Sequence, residues 1–227
     1  MVRCVTFDCA GTLVKLHCSV EQAVVAVANA DPMEGQLFQA MFMGRLSAFH
    51  QVNLTRDPQQ GRVFWVQLLA DWLVRIGRDP KTAEDLQNRV DTSIFSEPSC
   101  MFSLFEDVLP CLECLKARGI RMAVLSNWDY SLHRVLQFFE ISGFFEAEVA
   151  SLEEGMEKPD PRLFALTLER LGASPEETVH IGDHLIDDVE GAMSAGITPV
   201  FLDRASGISN KSTISSLAHL EAAIWSA

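Results

Sequence analysis

Asp8, Ser126, Lys158 and Asp183 are the residue types that transfer of a phosphoryl group to a carboxylate requires, and each stands at the end of an apolar run or in a loop. Asp8 offers a carboxylate nucleophile, and Ser126 with Asn127 offers hydroxyl and amide donors for phosphate oxygens. Lys158 supplies a cation, while Asp183, followed by Asp187 and Asp188, supplies further carboxylates able to hold a hard metal such as magnesium. Taken singly, each has a plainer role. Asp8 could cap a turn, Ser126 could bond its own loop, Lys158 could be solvated, and Asp187 with Asp188 could favour a helix N-terminus. Complementary groups at four independent positions argue for a single site instead.

The elements that must position these residues are readable from apolar runs and helix signals. Residues 2–7 form a short apolar run with β-branched members that stops at Asp8, followed by Gly11 and Thr12, as a buried strand meeting a loop would. Similar runs at 120–125, 179–182 and 198–202 alternate with helical segments at 108–118, 160–172 and about 187–195. That alternation predicts a parallel sheet with helices on both faces. In such sheets ligands bind beyond the carboxyl ends of the strands, at the point where strand order reverses, which is where Asp8, Ser126 and Asp183 fall. Between Ser19 and Ser103 there are helix starts but no convincing strands. Ser19 to Gln22 reads as a capping box, and Asp31-Pro32, Asp57-Pro58 and Asp79-Pro80 each place a cap before a proline suited to the first turn. Four helices are expected there, as an insertion after the first strand.

Composition narrows the function class. The 227 residues carry a net charge of −13, which argues against nucleic acid as a partner, because that affinity depends on Lys and Arg displacing counterions from phosphates. The same field opposes anionic ligands, so a phosphorylated substrate needs a local cation. Although 48% of residues are hydrophobic, no run approaches the roughly 18 uncharged apolar residues of a spanning helix, and no membrane partner is expected. A carboxylate is reached at Asp8 before a signal-peptide apolar region could form, and the expected compartment is the cytoplasm with the six cysteines reduced. Cys111 and Cys114 form a lone C-x-x-C on the 108–118 helix, where core packing is the expected role.

The order and spacing of these residues resemble the haloacid dehalogenase (HAD) superfamily. Asp8-Cys9-Ala10-Gly11-Thr12-Leu13 is similar to its first motif, D-x-D-G-T-L; Leu125-Ser126-Asn127 resembles the second, and Lys158-Pro159 the third. Gly182-Asp183-His184-Leu185-Ile186-Asp187-Asp188, closed by Ala195-Gly196, resembles the fourth and most specific. The resemblance implies a Rossmann-like α/β core, residues 1–15 and 104–227, and an all-helical cap, residues 16–103. It implies Asp8 as nucleophile through a phospho-aspartyl intermediate, with Asp8, the Ala10 carbonyl and Asp183 around Mg2+. Ser126 and the Asn127 backbone would contact the phosphoryl oxygens. Lys158 would neutralise charge on Asp8 and phosphate, and Asp188 would anchor Lys158 or a metal-bound water. The implied substrate is a small phosphorylated metabolite; the oligomeric state stays open.

Two departures bear on the reaction. Ala10 stands where the family's second Asp protonates the leaving group and later activates water, which favours substrates with good leaving groups. An alanine there also resembles phosphonoacetaldehyde hydrolases, but the segment Met43 to Ser47 offers no lysine for a Schiff base. His184, His17 and His50 are alternative proton carriers, a structural role being the plainer reading of each. A 2-haloacid dehalogenase, in which Asp8 attacks carbon without metal, and a catalytically weak binding module are the alternative functions.

Overall fold

The computed structural model describes residues 2–225. Among the described residues eight strands occur in chain order: β1 (Cys4–Phe7), β2 (Val14–Leu16), β3 (Phe102–Leu104), β4 (Arg121–Ser126), β5 (Ala147–Ala150), β6 (Thr178–Gly182), β7 (Thr198–Leu202) and β8 (Thr213–Ile214). Six of them form one sheet in the order β5-β4-β1-β6-β7-β8, and every pairing in it is parallel. β2 and β3 pair separately. All four residues of β1 are buried, as a central parallel strand covered on both faces requires. Because β4 flanks β1 on one side and β6 on the other, strand order reverses at β1. The expected parallel α/β sheet is therefore present, with β5 and β8 added. Neither was visible beforehand, since AEVA carries a single β-branched residue and TI, though β-branched, is only two residues long.

The chain divides into two compact units, Met1–Lys15 with Leu104–Ala227, and Leu16–Ser103. The second holds helices α1 (Val20–Ala28), α2 (Pro32–Met43), α3 (Leu46–Leu54), α4 (Pro58–Arg75) and α5 (Ala83–Ile94), with a short 3-10 turn at Pro80–Thr82. Five α-helices replace the four expected. The unforeseen one is α3, which has no start signal to read: its N-cap is Arg45, and no side chain caps it. The capping boxes at Ser19 with Gln22 and at Asp31 with Glu34 are both formed. Trp72 centres this unit, fully buried, with Nε1 donating to the Glu34 carbonyl at 2.8 Å and its ring 5.4 Å from Phe38.

In the sheet-bearing unit the helices are α6 (Val108–Ala117), α7 (Ser131–Phe138), α8 (Ser151–Glu154), α9 (Pro161–Leu171), α10 (Gly191–Ser194) and α11 (Leu220–Trp225). Leu163, Phe164 and Leu168 of α9 pack with Ala192 of α10 on Leu125 of β4 and Val149 of β5. The helix expected at about 187–195 is instead a π turn, Leu185–Glu190, that leads into α10. All six cysteines are free thiols; Cys111 is buried in α6, and Cys114 Sγ donates to Glu221 at 3.0 Å. Among the described residues no helix is long and apolar enough to cross a membrane.

Candidate active site

The Asp8 amide continues the ladder from β1 to the Ile181 carbonyl of β6 at 2.8 Å, so Asp8 is held at the point where the two strands end. The chain then turns tightly: Leu13 and Val14 amides donate to the Cys9 carbonyl, and the Gly11 amide donates to the Val14 carbonyl at 2.8 Å. Gly11 has φ +77°, and a Cβ on it would stand 2.0 Å from Asp183 Oδ2. Glycine is required there twice, by backbone conformation and by the carboxylate against it. Gly182 is required by contact alone, since its Cβ would fall 2.1 Å from Asp188 Cγ.

Four elements deliver side chains to this point. Ser126, the last residue of β4, donates from Oγ to Asp8 Oδ1 at 2.9 Å. Lys158 Nζ, 2% exposed as a side chain, donates to Asp8 Oδ1 and to Asp188 Oδ1, both at 2.6 Å. Asn127 holds the lysine's backbone, donating from Nδ2 to the Lys158 carbonyl and accepting the Lys158 amide on Oδ1 at 2.8 Å. Asp188 also receives the His184 amide at 2.9 Å and faces His180 Nε2 at 3.2 Å. Carboxylate oxygens of Asp8, Asp183 and Asp188 lie within 4.8 Å of one another.

The electrostatics follow from this crowding. Burial disfavours the charged form of Lys158, but the two carboxylates beside it outweigh that and hold it protonated. Burial first, and then the Asp188 charge, push the Asp8 carboxyl up against the pull of Lys158. Asp188 is buried too, yet donation from His180 and Lys158 holds it well below the ordinary carboxylate range. Asp183, open to solvent on one side, is raised to about 6 by partial burial and then by the Asp8 and Asp188 charges. Three carboxylates against one lysine leave an excess of negative charge among oxygen donors, the environment a hard divalent cation relieves. The residues present therefore fit such a cation.

A family model for haloacid dehalogenase-like hydrolases matches residues 2–196. The chain belongs to that family of hydrolases. Among relatives of this HAD-like hydrolase, the haloacid dehalogenase-like hydrolase domain-containing protein 3 of Danio rerio is 28% identical over 214 residues, 91% of this chain and 87% of its own. A glyceraldehyde 3-phosphate phosphatase of Methanopyrus kandleri is 35% identical over 136 residues, 58% of this chain and 56% of its own. A 2-haloacid dehalogenase from Pseudomonas syringae superposes with a TM-score of 0.65 at 21% identity, covering 99% of this chain and 98% of its own, a likeness of fold.

Within this hydrolase the structure gathers Asp8, Ser126, Lys158, Asp183 and Asp188, with Ala10 and Asn127 on the adjoining loops. Asp187 stays out of the cluster, its carboxylate 3.3 Å from His184 Nδ1. His184 caps the π turn, its Nδ1 accepting the Asp187 amide at 3.1 Å. His17 lies in the helical unit, bonded to Ser103 Oγ at 2.8 Å. The sequence reading overlooked His180, fully buried in β6 between Thr6 Oγ1 at 2.8 Å and Asp188. A histidine inside the otherwise apolar run 179–182 was the signal available; its alignment with Thr6 follows only from the register of β1 with β6.

Proposed function

We propose that this hydrolase is a magnesium-dependent phosphohydrolase that acts through phospho-Asp8 on a small phosphorylated metabolite with a good leaving group. One observation carries the reading. The nucleophile candidate is paired by a buried lysine and sits within a cluster of three carboxylates, an arrangement suited to a metal and a phosphate dianion together. A carbon-attacking dehalogenase needs no such cluster, and the Pseudomonas likeness is one of fold. The phosphatase named among the relatives favours the same choice.

Ser126 and Lys158 both donate to Oδ1 of Asp8, which leaves Oδ2 as the oxygen to attack phosphorus. As the P–O bond to Asp8 forms, the leaving oxygen departs with its electron pair; water then attacks phosphorus and restores the carboxylate. Asp8, the Ala10 carbonyl and Asp183 would hold Mg2+, which neutralises charge on the phosphoryl group when bound. Lys158 balances the anion throughout, and Asp188, fixed by His180 and the His184 amide, keeps Lys158 in place. The Asn127 backbone amide, and Ser126 Oγ once its single proton turns from Asp8 to the bound phosphate, are the donors assigned to the phosphoryl oxygens. The helical unit, residues 16–103, is assigned as the cap that selects substrate, and the protein is assigned to the cytoplasm.

A panel of aryl, acyl and alkyl phosphates with a 2-haloacid, assayed with Mg2+ and with excess chelator, tests the reading. Aryl and acyl phosphates should be hydrolysed with Mg2+ and not with chelator. Halide release that survives chelation would replace the phosphatase with a dehalogenase.

A further inference from the structure

The loop that carries Asp8 is also held from outside the acidic cluster. Arg204 lies two residues beyond β7 and is half-buried. Its Nη2 donates to the Thr12 carbonyl at 2.7 Å and its Nε to the Gly11 carbonyl at 3.2 Å. The same guanidinium donates from Nη1 and Nη2 to the two oxygens of Asp107 at 2.8 and 3.1 Å, and it stacks 3.7 Å above the Phe105 ring. Asp107 is itself fixed by Ser216 Oγ at 2.6 Å and the Leu217 amide at 2.9 Å. Every donor direction of this arginine that bears on the loop is therefore committed, and its brace is committed as well.

We propose that Arg204, braced by Asp107, is a positioning residue that fixes the Ala10 carbonyl and Asp183 for a divalent cation; the inference rests on the phosphohydrolase reading above. The argument is one of peptide planes. Gly11 has no side chain and a positive φ, so the two peptides that meet at it are held only by the hydrogen bonds their own groups make. The plane before Gly11 is set by its amide bond to the Val14 carbonyl, and in a trans peptide the Ala10 carbonyl must point the opposite way. The plane after Gly11 is set by Arg204. With both planes pinned, Gly11 cannot rotate without moving the Ala10 carbonyl, and it cannot shift towards β6 without striking Asp183, whose Oδ2 occupies the space a Cβ would need. Two of the three assigned metal-binding groups thus border a glycine whose following peptide is held by one guanidinium, which itself bonds to none of the three.

A structural staple would look similar, and the molecule contains a matched control. Arg121 makes a bidentate pair with Glu146 and donates to the Gly172 carbonyl at 3.3 Å, at the opposite end of the sheet's strands. Full-length wild type, Arg204→Gln, Arg204→Lys and Arg121→Gln are compared by Mg2+ titration calorimetry and by hydrogen exchange of the segment 8–15. Arg204→Gln should weaken Mg2+ binding by about tenfold or more, the loss typical of a group that orients metal ligands, and speed exchange in that segment. Arg204→Lys keeps a charge but not the fork, so it should fall between Arg204→Gln and wild type. Arg121→Gln should change neither quantity. Unaltered Mg2+ affinity in folded Arg204→Gln, or an equal loss in Arg121→Gln, overturns the positioning role alone. If Arg204→Gln does not fold, unaltered affinity in Arg204→Lys does the same. Wild type that binds no Mg2+ overturns the phosphohydrolase reading and this inference with it.

Discussion

The carboxyl ends of the strands and the helical unit solve the burial problem in opposite ways. Among the described residues of the helical unit no charged side chain is buried, and the interior is Phe38, Leu68, Leu69, Trp72 and Val90 with only Asn53 and Gln87 as buried polar members. The strand ends bury Asp8, Lys158, His180 and Asp188 together, with Thr6 and Ser126. An apolar cluster of equal volume is often as stable or more so, because withdrawing charges from water costs several kcal/mol per ion before pairing offsets it. The helical unit shows that this chain can pack an apolar interior. On the proposed phosphohydrolase reading the charges at the strand ends serve chemistry, and the two regions should then respond differently to substitution.

The largest separation is expected at Asp8→Asn, which should lower turnover by at least about three orders of magnitude, the scale of losing a covalent nucleophile, without unfolding the protein. The amide keeps an oxygen to accept from Ser126 and Lys158, and burial already opposes the charge on Asp8. Steady-state assays with circular dichroism would check this; a folded variant with most of its activity would break the comparison. The converse is Trp72→Ala in the helical unit. It removes a fully buried ring and its bond to the Glu34 carbonyl, and should cost about 3–5 kcal/mol by denaturant unfolding.

A smaller and more selective effect is expected at Ala10, which is only half-buried. A positioned general acid typically contributes about 10²- to 10⁴-fold, so Ala10→Asp should raise alkyl phosphate turnover by about tenfold or more, and aryl phosphate turnover less. Wild type should release a burst of product and then slow, since water attack on phospho-Asp8 also lacks its base. Equal wild-type rates on a sugar phosphate and an aryl phosphate would assign the acid to another residue.

The smallest effect is one of pH on stability. Hydrogen bonds to Glu148 and then Glu153 raise His133 from its ordinary 6.5 to about 9. A pKa raised in the folded state stabilises the protonated protein, so this contribution is complete below about pH 6.5 and is lost as pH rises through about 9. His133 is partly exposed, and screening keeps the effect small. Melting temperatures should fall across that window in wild type and stay flatter in His133→Gln.

How much of this was legible depends on how local each signal is. Capping at Ser19 and Asp31, the prolines that open α2, α4 and α9, and the burial of β1 are decided within a few residues, and the sequence alone determined them. It also determined that Asp8, Ser126, Lys158 and Asp183 lie at strand ends or in loops, because apolar runs stop where the chain leaves the sheet. The break at Gly44-Arg45 that divides α2 from α3 was marked only by the glycine, since no side chain caps α3.

Tertiary structure alone decided which polar atoms meet. His180 against Asp188, and Arg204 against the Gly11 and Thr12 carbonyls 193 and 192 residues away, depend on strand order and on side-chain direction at the strand ends. So does the convergence of Ser126 and Lys158 on one oxygen of Asp8. Hydrogen bonds between remote segments impose no period and no cap on the sequence. They exist only after the parallel sheet has brought the strand ends together, and their short range makes them sensitive to ångström-scale placement that composition and spacing do not encode.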